Sequence, residues 1–310
     1  MDKSEKKLIN NLSDALTHVT HMIDSSINYW FRGHSDVSFK LLPSLFRPVS
    51  GTQNQYYDEA QLIDEITRRF PIVRDKNKSI IELLIYAQHY GIPTRLLDWT
   101  ENLLVALYFC CSEHQQKDGV VYILNPSKIQ KHSHGELDTI SEFVMSSGKI
   151  DLYKKMVVAC KNFHHYFIKN IPPKINGISY IELIDKTDVE IYLELSKIKD
   201  KPLEIDLGIS HVKTVDIFTY YAPMSNNRII AQHGCFTIHG GKIIGNEEIV
   251  KIPQINTTDE GLTSLIIPFT AKKKIIEDLH ICGINKHTLF PEIENHIESI
   301  KINSIIKTPE

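Results

Sequence analysis

Two short segments of the chain place charged side chains among aromatic residues and beside glycine or proline. The first segment is Trp30–His34 and the second is His89–Thr100. Charged groups are costly to bury in apolar surroundings unless they are paired. The two segments therefore form either a structural ion-pair network or the lining of a polar site.

Arg32 is the first candidate for holding an anion. Its planar guanidinium group presents five donors, which suits a phosphate or a carboxylate. Gly33 beside it is expected to leave room for a bulky anion. The alternative is an Arg32 that pairs with a core carboxylate such as Asp98, since structural ion pairs resemble functional sites. The sequence leaves both interpretations open.

In the second segment, Thr94, Arg95 and Asp98 are expected to follow a tight turn just before a helix. The free N–H groups at a helix N-terminus attract anions. Asp98 is a candidate catalytic carboxylate, but an N-cap that accepts a backbone N–H is the favoured interpretation.

Aromatic and imidazole groups in the same segment could contact a ligand. Tyr90 and Trp99 could stack on a heterocyclic ring, although such aromatics are more often part of the core. His89 could bind a ribose hydroxyl, although a histidine near a helix end is more often structural.

A third candidate group lies much later in the chain. Arg228 and Gln232 are four residues apart and are expected to share one helix face. Gly234 lets the chain turn directly into a strand, so Gln232 would lie near a strand edge, where its amide could hold a ligand hydroxyl. The alternative is a helix C-cap in which Gln232 bonds backbone groups.

Composition limits the possible classes of protein. The 310 residues are 42% hydrophobic and carry a formal net charge of -3, which permits a sizeable core and argues against bulk attachment to nucleic acid or membrane. We expect no secretory signal and no membrane span. The five cysteines, an odd number without paired metal-type spacing, favour a reducing, cytoplasmic location. No P-loop, zinc-protease or serine-hydrolase motif occurs, and we expect no metal site, including at His132/His134 and His164/His165.

Hydrophobic periodicity predicts one α+β domain with mixed or antiparallel central sheets and flanking helices. An N-terminal helical segment covers residues 1–27, and the main domain covers 28–310 with a helical insertion at about 130–210. Helices are predicted at residues 8–23, 59–74, 80–89, 103–110, 226–232, 270–282 and 291–300. Strands are predicted at residues 29–31, 119–124, 215–221, 235–239 and 262–269.

The ordered motifs resemble the FRG domain, a bacterial and phage family named for its Phe-Arg-Gly triplet. The matching residues are Phe31–His34, Leu42–Arg47, His89–Asn102 leading into Ala106–Phe109, the set Arg228, Gln232, Gly234 and Phe236, and Leu289–Glu292. The resemblance spans roughly residues 28–300 and is weakest at 130–210.

The layout of these motifs is similar to that of ADP-ribosyltransferases, and the resemblance implies that fold and an NAD-binding site. The implied catalytic residues are Arg32, Gln232 and Asp98. The implied NAD-binding residues are Arg32, Gly33, His34, His89, Tyr90, Thr94, Arg95, Trp99 and Arg228. Many such transferases have a glutamate where this chain has Gln232, and a neutral amide cannot act as a general base.

The resemblance therefore implies a toxin-like or anti-phage enzyme that transfers ADP-ribose from NAD to a macromolecule. RNA is the favoured acceptor, followed by DNA and protein, and an antitoxin partner is possible. The alternative is a non-catalytic sensor that binds a nucleotide or nucleic acid in the same cleft.

Overall fold

The structure is a computed structural model that describes residues 9–52, 55–70, 80–129, 174–175, 178–179, 205–206, 217–224, 226–244, 247–250, 252, 254–255, 261–297, 300–301 and 304. The described part is an α+β arrangement, as the periodicity predicts. No helix in these ranges is long and apolar enough to cross a bilayer.

The centre of the fold is a six-stranded antiparallel sheet. Its strands, in chain order, are β1 (Trp30–His34), β2 (Leu96–Thr100), β3 (Gly119–Leu124), β7 (Ile217–Tyr220), β8 (Gly234–His239) and β11 (Leu262–Ile267). They lie side by side in the order β11-β3-β1-β2-β8-β7. The predicted strands at 119–124, 235–239 and 262–269 are confirmed to within two residues.

Five short strands form two further small sheets. β4 (Lys174–Ile175) pairs with β5 (Ile178–Ser179) and β6 (Ile205–Asp206), and β9 (Lys242–Ile244) pairs with β10 (Glu247–Val250). The first three fall in the region that the sequence predicts to be a helical insertion, so that prediction is wrong at these six residues. The remainder of the predicted insertion lies outside the described residues.

Seven helices accompany the sheet in the described ranges. They are α1 (Leu12–Met22), α2 (Glu59–Arg69), α3 (Ile80–His89), α4 (Leu103–Cys111), α5 (Asn227–Gln232), α6 (Phe269–Ile281) and α7 (Lys286–Leu289). Short 3-10 turns occupy Ser44–Phe46, Pro126–Lys128 and Ile293–Asn295. The first six helices occur where they were predicted, although α1 begins at Leu12 instead of residue 8 and α2 ends at Arg69 instead of residue 74. α7 is an addition.

The helices divide between the two halves of the sheet. α1, α4 and α6 pack against β1, β3 and β11 in one apolar cluster that contains Phe31. α2 and α3 pack against β2, β7 and β8 in a second cluster that contains Leu96. Trp30, Leu97 and Trp99 belong to a third cluster, as expected for alternate positions along β1 and β2.

The two halves of the sheet meet at a narrow junction between β1 and β2. These strands share a single paired position, Phe31 with Thr100, whereas β1 with β3 and β2 with β8 each pair over five positions. β1 and β2 therefore separate beyond Phe31, and the candidate site lies where they do so.

Candidate functional site

A cavity of about 630 Å³ lies beside the separation of β1 and β2, and its size is typical of a small-molecule site. Its walls come from β1, α3, β2, α4, α5 and the segment around α7. The predicted site residues that line it are Arg32, Gly33, His34, His89, Asp98, Trp99, Arg228 and Gln232. Sequence-distant candidates from all three groups therefore share one cavity.

Arg32 is held in one orientation by two partners. Its Nε donates to His34 Nε2 at 2.9 Å, and its Nη1 donates to the backbone oxygen of Asp98. This second bond bridges the separated strands β1 and β2. Nη2 forms no hydrogen bond to any residue that the structure describes, which leaves it for a ligand. Partial burial lowers the pKa of Arg32 to about 10, so the group is still charged at neutral pH.

His34 is a neutral acceptor in this arrangement. Its Nε2 accepts the hydrogen bond from Arg32 Nε. The ring proton is therefore on Nδ1, which donates to the backbone oxygen of Phe39 at 3.3 Å. Burial and the charge of Arg32 lower the pKa of His34 to about 3. His34 is 5% exposed, which favours a role in holding Arg32.

Asp98 lies in strand β2 and does not cap a helix. The N-cap of α4 is Asn102, which accepts the N–H of Leu104 at 2.9 Å, so the favoured N-cap interpretation of Asp98 is wrong. The Asp98 carboxylate is 3.8 Å from Arg32 Nη1, and its side chain is 62% exposed. It accepts from Gln88 Nε2 at 2.6 Å.

Thr94 acts on the site indirectly. Its hydroxyl donates to the side-chain oxygen Oε1 of Gln88, which orients the Gln88 amide nitrogen toward Asp98. Thr94 is fully buried and does not line the cavity. The structure therefore places Thr94 behind the site, where it positions the partner of Asp98.

Gly33 has a different role from the expected one. A Cβ at Gly33 would lie 1.9 Å from the oxygen of Ala106 and 2.7 Å from the nitrogen of Cys110, both in α4. The space beside Gly33 is therefore filled by a helix backbone and cannot hold a bulky anion. The glycine lets α4 approach β1 closely, and this contact sets one wall of the cavity.

Gln232 joins three walls of the cavity. Its Nε2 donates to the oxygen of Leu289 at 3.0 Å, and its backbone oxygen accepts from the Thr100 hydroxyl at 2.6 Å. Helix α5 ends at Gln232, and its C-cap His233 has a left-handed φ of 48°. The chain therefore turns at His233, one residue before the predicted turn at Gly234, where β8 begins. Within the described part of the chain, the side-chain oxygen of Gln232 has no donor and can accept from a ligand.

Arg228 lies one helical turn before Gln232, as predicted. Its guanidinium carbon is 4.7 Å from the centre of the Phe290 ring, a cation–π contact. Phe290 in turn meets Phe109 edge-on, with ring centres 6.0 Å apart. This contact holds Arg228 against the wall of the cavity that the segment around α7 forms.

Only some of the aromatic and imidazole candidates line the cavity. His89 lines the cavity, but Tyr90 does not, and Tyr90 is 65% exposed. Trp99 is 3% exposed, and its ring N–H donates to Thr237 at 3.0 Å. Trp99 is thus mainly a core residue at the cavity floor, and the predicted stacking of Tyr90 inside the site is wrong.

Arg95 is a structural residue. It is 1% exposed and donates to Glu59 through Nε at 3.0 Å and through Nη2 at 2.5 Å. Its Nη1 donates to the oxygen of His239 at 2.7 Å. Arg95 does not line the cavity, so its predicted place in the cofactor site is wrong.

Cationic groups predominate among the described lining residues. Arg32, Arg47, Arg228 and Lys286 face two carboxylates, Asp98 and Glu113. A concave surface with this excess of positive charge favours an anionic ligand. In the same part of the chain, no group of three His, Cys, Asp or Glu side chains is arranged to hold a metal ion.

The sequence interpretation missed several lining residues, notably Gln88, Arg47, Lys286 and Phe290. Arg47 and Phe290 lie within the Leu42–Arg47 and Leu289–Glu292 motifs, so their position in those motifs was a usable signal. Lys286 and Gln88 have no such signal, because only the tertiary fold brings them to the cavity.

Residues 27–119 match the model of the FRG domain family. This segment of the chain is similar to the FRG domain. The matched range contains Arg32, His34, Gln88 and Asp98, and so covers the β1, α3, β2 and α4 walls of the cavity. The α5 and α7 walls lie outside it, and the predicted extension of the FRG resemblance to about residue 300 stays a prediction. Neither the curated proteins nor the solved structures gave a match.

Proposed function

We propose that this protein is an NAD-dependent ADP-ribosyltransferase that modifies a macromolecule, with RNA the favoured acceptor. The observation that supports it is the meeting of Arg32, Asp98 and Gln232 in one cavity of about 630 Å³. A toxin-like or anti-phage role, restrained by an antitoxin, belongs to the same proposal and depends on the FRG resemblance alone.

The pyrophosphate of NAD would bind at Arg32. The bonds from Nε to His34 and from Nη1 to Asp98 fix the guanidinium, so little side-chain entropy is lost when Nη2 binds an anion. Arg47 also lines the cavity, close enough for its charge to act on Arg32, and adds a second positive charge. Charge-assisted hydrogen bonds of this type are among the strongest in proteins.

The ribose would bind at Gln232. Its Nε2 is committed to Leu289, which orients Oε1 as an acceptor for a ribose hydroxyl. A preorganised acceptor costs no reorganisation when the reaction occurs.

In the reaction, the bond between ribose C1′ and the nicotinamide nitrogen breaks. The electron pair leaves with nicotinamide and neutralises its positive ring, while positive charge develops on the ribose. The Asp98 carboxylate would stabilise that charge. The acceptor nucleophile then bonds to C1′ and loses its proton to Asp98 or to water. Because Gln232 cannot take a proton, we assign this role to Asp98, whose carboxylate lies 3.8 Å from Arg32 Nη1.

Nicotinamide release from NAD by the purified chain tests this proposal. We expect Arg32→Ala and the milder Arg32→Gln to reduce release by at least about 100-fold, the loss typical for one preorganised charged donor. Arg68→Ala is the matched control, because Arg68 pairs with Glu65 outside the cavity. Full release by folded Arg32 variants would refute the role of Arg32.

A non-catalytic nucleotide-binding module is the second candidate. The observation that favours it is the amide of Gln232, which can bind a ribose but cannot act as a base. Under this alternative, NAD would raise the melting temperature of the protein without any release of nicotinamide.

A further inference from the structure

We infer that Arg228 and Lys286 form a second anion site, which holds a phosphate of the acceptor, and that the acceptor is a single-stranded polynucleotide. This inference rests on the proposed function, because it assigns the substrate that receives ADP-ribose. The two residues lie on the α5 and α7 walls of the cavity, outside the part that matches the FRG model.

Most other arginines of the described chain have a carboxylate near them, and Arg47, which donates to the backbone oxygen of Leu42, is the exception. Arg32, Arg68, Arg69 and Arg95 each lie near a carboxylate. Among the described residues, neither Arg228 nor Lys286 forms a salt bridge, although both line a concave surface. An unpaired guanidinium in a partly buried position is stabilised when it binds an anion.

The Arg228 guanidinium is held in place before any ligand binds. Its cation–π contact with Phe290 at 4.7 Å, and the contact of Phe290 with Phe109, restrict the position of the group. Gln232 binds the oxygen of Leu289 and so anchors the residue next to Phe290. Lys286 is exposed and extends the charge toward solvent, where a large acceptor can approach.

The order of groups across the cavity separates the donor from the acceptor. Thr100 pairs with Phe31, next to Arg32, and its hydroxyl donates to the Gln232 backbone. Arg228 lies one helical turn from Gln232, about 6 Å along the axis. Gln232 therefore stands between the two cationic positions. With the ribose at Gln232 and the pyrophosphate at Arg32, the incoming acceptor occupies the Arg228 side.

A polynucleotide fits this side better than a protein does. Its phosphates offer a repeating negative charge to Arg228 and Lys286, and arginine guanidinium planes also stack on unpaired bases. RNA and DNA share this chemistry.

The test is binding of fluorescent single-stranded RNA and DNA of one sequence to the full chain, by anisotropy over a range of salt concentrations. We expect Arg228→Gln with Lys286→Gln to weaken binding at least about tenfold. The slope of log K against log salt should become shallower by about 0.7, the change expected when one phosphate contact on a single strand is lost. Lys273→Gln, an exposed lysine of α6 outside the cavity, is the control and should bind as the wild type does. Circular dichroism confirms folding, and Arg228→Lys, which keeps the charge, should retain the salt slope.

Unchanged polynucleotide binding by the folded double variant would overturn the inference. Wild-type protein that binds NAD but neither polynucleotide would also overturn it and point to a protein acceptor. If the double variant loses as much affinity for NAD as Arg32→Ala does, Arg228 binds NAD and not the acceptor. If polynucleotide binding depends on the pair while the protein neither binds nor cleaves NAD, the anion site stands and the transferase proposal fails.

Discussion

Replacing His34 by glutamine should make the stability of this protein less sensitive to mild acid. His34 is 5% exposed, accepts from Arg32 at 2.9 Å, and has a pKa lowered to about 3 by burial and by the Arg32 charge. Protonation would turn Nε2 from an acceptor into a second donor that faces a cation. Glutamine can keep the acceptor for Arg32 without any group that titrates.

The magnitude follows from proton linkage. In the unfolded chain a histidine has a pKa of about 6.5, so the unfolded state binds more protons than the native state below that pH. The stability associated with neutral His34 is fully present above about pH 6.5 and falls as the pH decreases toward the folded pKa. Between about pH 7 and about pH 5, this single group should lower the free energy of unfolding by about 2 kcal/mol.

Urea unfolding at both pH values measures this difference. The wild type should lose about 2 kcal/mol more than His34→Gln between about pH 7 and about pH 5. The control is His280→Gln, which removes an exposed histidine of α6 and should lose as much as the wild type. An equal loss in His34→Gln and the wild type would refute the neutral, buried state of His34.

Two further changes test the packing around the site. Arg95→Met should cost about 3–5 kcal/mol, because Glu59 is left buried without its partner, and restoring an apolar pair with Glu59→Met should recover most of the loss in urea unfolding. Gly33→Ala should cost more than about 3 kcal/mol, since its Cβ would lie 1.9 Å from the Ala106 oxygen. Gly234→Ala is its control, because a Cβ there meets only ordinary contacts at 3.6 Å or more, and equal melting temperatures for the two alanine variants would contradict the close contact.

Local patterns predicted the bounds of a helix best where the chain carries a stop signal. α3 ends at His89, as predicted, and Gly91 follows with a φ of 80° that suits glycine. The apolar run before Cys111 correctly predicted helix α4. The family resemblance grouped Arg32, Gly33, His34 and Gln232, which no local pattern connects, and these residues line one cavity.

The errors come from interactions between distant residues. Asp98 resembles an N-cap, but its pairing with Phe236 in β8 makes it part of a strand. Arg95 resembles a site residue, but its partner Glu59 lies 36 residues earlier, on a helix whose docking the sequence does not reveal. Gly33 resembles an opening for a ligand, yet only the fold shows that a helix backbone fills the space.

The most direct test of the transferase proposal is transfer of label from NAD that carries it in the adenylate phosphate. The purified chain is incubated in separate tubes with RNA, DNA and lysate protein, beside Arg32→Ala and Gln232→Ala. The proposal predicts label on RNA with the wild type and none with either folded variant. No label on any polymer, from folded protein, would contradict it.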